Sequence, residues 1–80
     1  MSKVEKLRAR LLSKPKDFTY SELVTLFESL GFEERTGKGS ARKLVNIKTG
    51  KIFSLHEPHP SNILKGYVIK EAIEILNTFK

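Results

Sequence analysis

Apolar residues recur near the start of the chain at Val4, Leu7, Leu11 and Leu12, spacings of i, i+3, i+7 and i+8 that form one helical stripe. The stripe ends ahead of Lys14-Pro15, because the residue before a proline is pushed away from helical backbone. A second helix is predicted from Tyr20. Thr19 and Glu22 have the spacing of a capping box, in which the threonine side chain accepts from the Glu22 amide and the carboxylate reaches back to the Thr19 amide. Leu23, Val24, Phe27 and Leu30 then share a face, and Gly31 is placed to end the helix in the left-handed conformation.

From Phe32 the period changes. Phe32 to Thr36, Ala41 to Lys48 and Lys51 to Leu55 read as extended, with Thr49-Gly50 as a two-residue turn. That turn would set Leu44 opposite Leu55 and Asn46 opposite Phe53, with Val45, Ile47, Ile52 and Ser54 on the other face. Neither face is purely polar, so the pattern does not choose which one meets the helices. Pro58 and Pro60 stop the sheet, since proline cannot donate to a ladder. Ile63 to Phe79 returns to helical spacing through Ile69, Ala72, Ile73, Leu76 and Phe79. The order helix, helix, three strands, helix predicts an α+β domain with helices on one side of a three-stranded antiparallel sheet.

With 80 residues the chain fits one small domain, which buries only about 60% of its unfolded surface and is correspondingly marginal. No run approaches the ~20 apolar residues of a membrane span. The stretch Met1 to Arg8 lacks the apolar core of a secretory signal, so a cytoplasmic location is expected. The absence of cysteine removes disulfides, a thiol nucleophile and thiolate metal sites.

The formal net charge of +6 is unevenly spread. Residues 1–16 carry six bases and one acid, and residues 17–34 carry five acids and no base, so the two blocks cancel. Residues 35–55 hold Arg35, Lys38, Arg42, Lys43, Lys48 and Lys51 without an acid, and the remainder is balanced. The whole excess therefore sits on the central strands, as a polyphosphate partner would require; the plain alternative is a solvated hairpin.

Candidate chemistry clusters there. Gly37-Lys38-Gly39 either makes a tight turn or lets the backbone approach a ligand, and Ser40, Arg42 and Lys43 directly after it are suited to holding phosphates. His56 and His59 flank Glu57-Pro58, and Lys65 follows six residues after His59. As a metal pair the two histidines lack the ligand count and rigid spacing of a site, and no cofactor is implied. Histidine can both take and give a proton near neutrality, so either residue suits acid-base chemistry.

The tracts Gly39-Ser40-x-Arg42-Lys43 and Pro58-His59-Pro60 through Leu64-Lys65-Gly66-Tyr67 resemble the two halves of the active hairpin of the HicA toxin family. The resemblance covers about residues 17–79 and makes residues 1–16 an N-terminal helical addition to a single domain spanning 1–80, one suited to packing beside the core or to self-association. It implies the α-β-β-β-α layout of a double-stranded-RNA-binding domain. It also implies a toxin that binds and cleaves mRNA by metal-independent acid-base chemistry and is held in check by a HicB-type antitoxin. In the family a catalytic histidine follows the Gly-Ser pair, and here that position is Ala41. The resemblance thus marks position 41 and His59 as catalytic. It marks Lys38, Ser40, Arg42, Lys43, Lys48, Lys51, His56 and Lys65 as RNA-binding. Three accounts of Ala41 stay open: deliberate inactivation, a natural member that binds without cutting, or a subgroup in which His59 leads. A non-catalytic RNA-binding module is the alternative function, and the expected state of the isolated chain is a monomer or weak dimer.

Overall fold

The computed structural model describes residues 3–39, 41–58 and 62–78. Its elements follow in the order α1 (Lys3–Leu12), α2 (Tyr20–Glu28), β1 (Phe32–Thr36), β2 (Ala41–Asn46), β3 (Ile52–His56) and α3 (Gly66–Asn77). The strands form one antiparallel sheet in the order β1-β2-β3. Among the described residues no helix is long and apolar enough to cross a membrane.

Helix α1 buries Leu7 and Leu11 in the common core, while Leu12, grouped with them by spacing, is exposed. The junction to α2 is electrostatic. Arg10 donates to Asp17 Oδ1 at 2.8 Å and to Glu22 Oε2, and its guanidinium lies 5.2 Å over the Phe18 ring. The cancelling charge blocks of the sequence are therefore physical neighbours. Glu22 is also the second half of the capping box: its Oε1 accepts from the Thr19 amide at 3.0 Å, and Thr19 Oγ1 accepts from the Glu22 amide at 3.2 Å. Burial alone would raise the Glu22 pKa, but the hydrogen bonds from Arg10 and Thr19 outweigh it and hold the carboxyl below its usual range. Gly31, at φ of 94°, ends the α2 region as its sequence position suggests.

The sheet buries one face against the helices. Phe32 of β1, Leu44 and Asn46 of β2, and Phe53 and Leu55 of β3 are all buried, and the Phe27 ring of α2 lies 5.0 Å from Phe32 and 5.6 Å from Phe53. Helix α3 closes the layer with Val68, Ile69, Ala72, Ile75 and Leu76. It starts at Gly66 and not at Ile63, because residues before it are held extended: Ile63 bridges Thr19, and Leu64 donates to the Phe18 carbonyl at 2.9 Å. Phe79, expected on this helix, lies outside the described residues.

The β2-β3 register differs from that of a two-residue Thr49-Gly50 turn. Leu44 pairs with Phe53, Val45 with Ile52 and Arg42 with Leu55, a slip of two positions, and β2 stops at Asn46. The cause is Asn46, which is 2% exposed. Its Oδ1 accepts from the amides of Lys48 and Thr49 at 3.0 and 2.9 Å, and its Nδ2 donates to the Leu30 carbonyl at 3.2 Å. These bonds draw residues 47–50 into a four-residue loop, closed by Gly50 N donating to Asn46 O at 2.8 Å. An even slip keeps every side chain on its face and changes only its cross-strand partner. Asn46→Ala strands the Leu30 carbonyl and the loop amides, so a loss of about 2–3 kcal/mol is expected in urea unfolding. A loss below about 0.5 kcal/mol would show that the loop holds without Asn46.

Candidate functional site

Strand alternation separates the central bases that look contiguous in sequence. Ala41, Lys43 and Val45 of β2 point away from the helices, together with Ile52, Ser54 and His56 of β3, whose exposed positions alternate with buried Phe53 and Leu55. Arg42, between Ala41 and Lys43, turns towards the helical side. The phosphate-holding pair Arg42-Lys43 expected from sequence is thus split across the sheet.

On the open face Ala41 pairs with His56 and Lys43 with Ser54. Asn46 N donates to Lys51 O at 2.8 Å, which makes Asn46 and Lys51 a hydrogen-bonded pair and, by alternation, Ala41 and His56 a non-hydrogen-bonded one. Side chains stand closest in pairs of that kind, with Cα atoms about 4.5 Å apart. Gly37, Ala41, Arg42, Lys43, Ser54, Leu55 and His56 line a depression of 170 Å³ here. Of the two glycines before it, Gly39 supplies positive φ, at 61°, and Gly37 supplies close approach. A Cβ on Gly37 would meet the Ala41 Cβ at 3.3 Å, so a side chain there would crowd position 41.

Beneath the depression, Arg42 acts as a clamp. It donates to Glu57 Oε1 at 2.7 Å, to the Gly39 carbonyl at 3.0 Å and to the Ala41 carbonyl at 2.8 Å. The residues directly after Ala41 and His56 therefore tie the start of β2 to the end of β3. Tyr20 of α2 and Glu34 of β1 extend this polar layer, with the Tyr20 hydroxyl donating to the Glu34 carboxylate. Burial, then the Glu34 carboxylate, pushes the Tyr20 pKa well up, so the phenol stays a donor. Glu57, Tyr20 and Glu34 were not among the sequence candidates. The period-two alternation that turns Arg42 inward was the available signal, because a half-buried arginine needs a carboxylate.

Lys38 is exposed in the β1-β2 loop, and Lys48 and Lys51 are exposed at the far end of the hairpin. Five residues of strand, about 17 Å, separate them from Ala41. Lys65 is the N-cap residue of α3, outside the depression. Ser40 and His59 lie outside the described residues. Arg35 pairs with Glu33 at 3.4 Å, whereas Lys38, Lys43, Lys48 and Lys51 form no ion pair among the described residues. Nor do the described residues contain a group of three His, Asp or Glu placed for a metal.

The sequence model described as the HicA toxin of bacterial toxin-antitoxin matches residues 20–77, from the start of α2 to the end of α3. The chain belongs to the HicA toxin family. No curated protein and no solved structure matches it. The HicA span contains the whole sheet and the depression, and α1 lies outside it while contributing Leu7 and Leu11 to the core.

The clamp has a measurable signature. Side chains of Arg42 and Glu57 are 18% and 26% exposed, between a surface pair and a buried one. Glu57→Gln is therefore expected to lower stability by about 1–2 kcal/mol and to speed amide exchange at Gly37 and Ala41. Unchanged exchange at both amides would mean that the turn stands without Glu57.

Proposed function

We propose that this HicA-family toxin binds mRNA along the open face of its hairpin and cleaves it by metal-independent acid-base chemistry, at a rate lowered by Ala41. The observation that carries the reading is the cross-strand pair at the depression: the family's histidine position stands beside an imidazole-bearing residue, with the Lys43 ammonium one pair further along the same face. A phosphodiester in the depression would meet Lys43 as its counter-charge. Lys48 and Lys51, some 17 Å away, would meet phosphates further along a strand lying parallel to β2. The methyl group of Ala41 neither takes nor gives a proton, so the chain keeps a binding face and lacks one half of the usual chemistry.

A HicB-type antitoxin covering this face would exclude RNA from it, and the site of action would be the cytoplasm, where mRNA is found. The second reading, a module that binds RNA without cutting it, is favoured by Ala41 alone.

RNA binding through three or four phosphates predicts a log-log salt slope of about −2 to −3 on a single strand. Lys43→Ala is expected to make that slope shallower by about 0.7, whereas Lys6→Ala on α1 leaves it in place. Equal effects of the two changes, measured by fluorescence anisotropy, would mean that only net charge attracts the RNA.

Ala41→His is expected to raise the cleavage rate by about 10²–10⁴-fold and to arrest growth of a host lacking antitoxin. If that variant folds and binds RNA but cuts no faster, position 41 is not catalytic and the binding module becomes the function.

A further inference from the structure

We propose that His56 is a proton-transfer group of this site, acting on the RNA from β3 while position 41 faces the same phosphodiester from β2. This rests on the nuclease reading above. Three observations carry it. The register makes His56 the direct partner of position 41, in the class of pair whose side chains stand closest. Both residues line one 170 Å³ depression, which Gly37 leaves uncrowded and to which Lys43 and Ser54 add an ammonium and a hydroxyl. The backbone on either side of His56 is anchored, by buried Leu55 before it and by the Glu57-Arg42 clamp after it, so the imidazole is carried on a rigid strand end.

A histidine merely exposed on a strand needs no function. What distinguishes this one is its partner: a slip of two residues, as a tight Thr49-Gly50 turn would impose, would set His56 against Lys43 and position 41 against Pro58. The observed register instead places two neighbouring side chains so that they can attend the 2′-oxygen and the 5′-oxygen of one phosphate.

In the present chain the neutral His56 imidazole takes the 2′-hydroxyl proton as the 2′-oxygen bonds to phosphorus and the P–O5′ bond breaks. The 5′-oxygen leaves with a proton from water, and the hydroxide so formed takes the proton back from the imidazolium. The products are a 2′,3′-cyclic phosphate and a 5′-hydroxyl, with no net change in the protein. With histidine also at position 41, a protonated imidazole replaces water as the donor to the 5′-oxygen.

The test compares the full chain with His56→Ala, Ala41→His and the double variant on one labelled single-stranded RNA, reading affinity and cleavage separately and checking each fold by circular dichroism. His56→Ala is expected to remove whatever cleavage the present chain shows, by a larger factor than it weakens RNA binding. The double variant is expected to fall about 10²–10⁴-fold below Ala41→His. Free imidazole should restore part of the loss in both, which a purely structural role would not allow. If His56→Ala leaves both backgrounds unchanged while Ala41→His cuts, the nuclease reading stands and His56 is eliminated in favour of His59. If neither the present chain nor Ala41→His cuts, the nuclease reading falls and this assignment with it.

Discussion

The site depends on one buried amide. Asn46 sits at the end of β2, almost inaccessible to water, and both ends of its side-chain amide are engaged: two loop amides on its oxygen and the Leu30 carbonyl on its nitrogen. An amide left unpaired at that depth would be destabilising by roughly 1–3 kcal/mol, so the loop folds round it. The four-residue loop sets the register of β3 on β2, and the register sets which side chain stands beside position 41. The side-chain pairing at one end of the hairpin is thus decided by a polar residue at the other, about 17 Å away.

A domain this small has little stability to spare, and its charges are arranged accordingly. The basic first helix and the acidic segment after it meet through Arg10, which binds Asp17 and Glu22 and covers Phe18. Arg42 is spent on Glu57 and two carbonyls. Lys38, Lys43, Lys48 and Lys51, on the open face and the loops that bound it, form no ion pair among the described residues. Arginine holds the frame through directed hydrogen bonds, and lysine supplies mobile, solvated charge outside it.

On the proposed reading, membership in the HicA family and the alanine at position 41 pull in opposite directions only if catalysis is located in a single residue. The sheet offers a pair of positions, 41 and 56, facing one depression. With alanine at position 41, its partner His56, the Lys43 ammonium and the open space beside Gly37 are all in place. On the reading proposed above, such a chain would still bind RNA while most of its proton transfer is lost, and the two properties are separable by experiment.

Local patterns were legible in sequence wherever short-range physics decides them. The Thr19-Glu22 capping box, the left-handed Gly31 and the β1 limits each rest on residues a few positions apart, and the structure has them where the pattern puts them. The family-resembling tracts were legible for the same reason. What the sequence could not determine was anything requiring two distant segments to choose each other. The inward face of the sheet, the β2-β3 register and the delayed start of α3 follow from how Phe27, Asn46 and the 62–64 segment pack. Sequence alone specifies that Arg42 is adjacent to Lys43 and that His56 lies fifteen residues beyond Ala41. Strand alternation already parts Arg42 from Lys43, but only tertiary structure, by packing one face on the helices and winding a loop round one buried asparagine, turns Arg42 inward and brings Ala41 and His56 together.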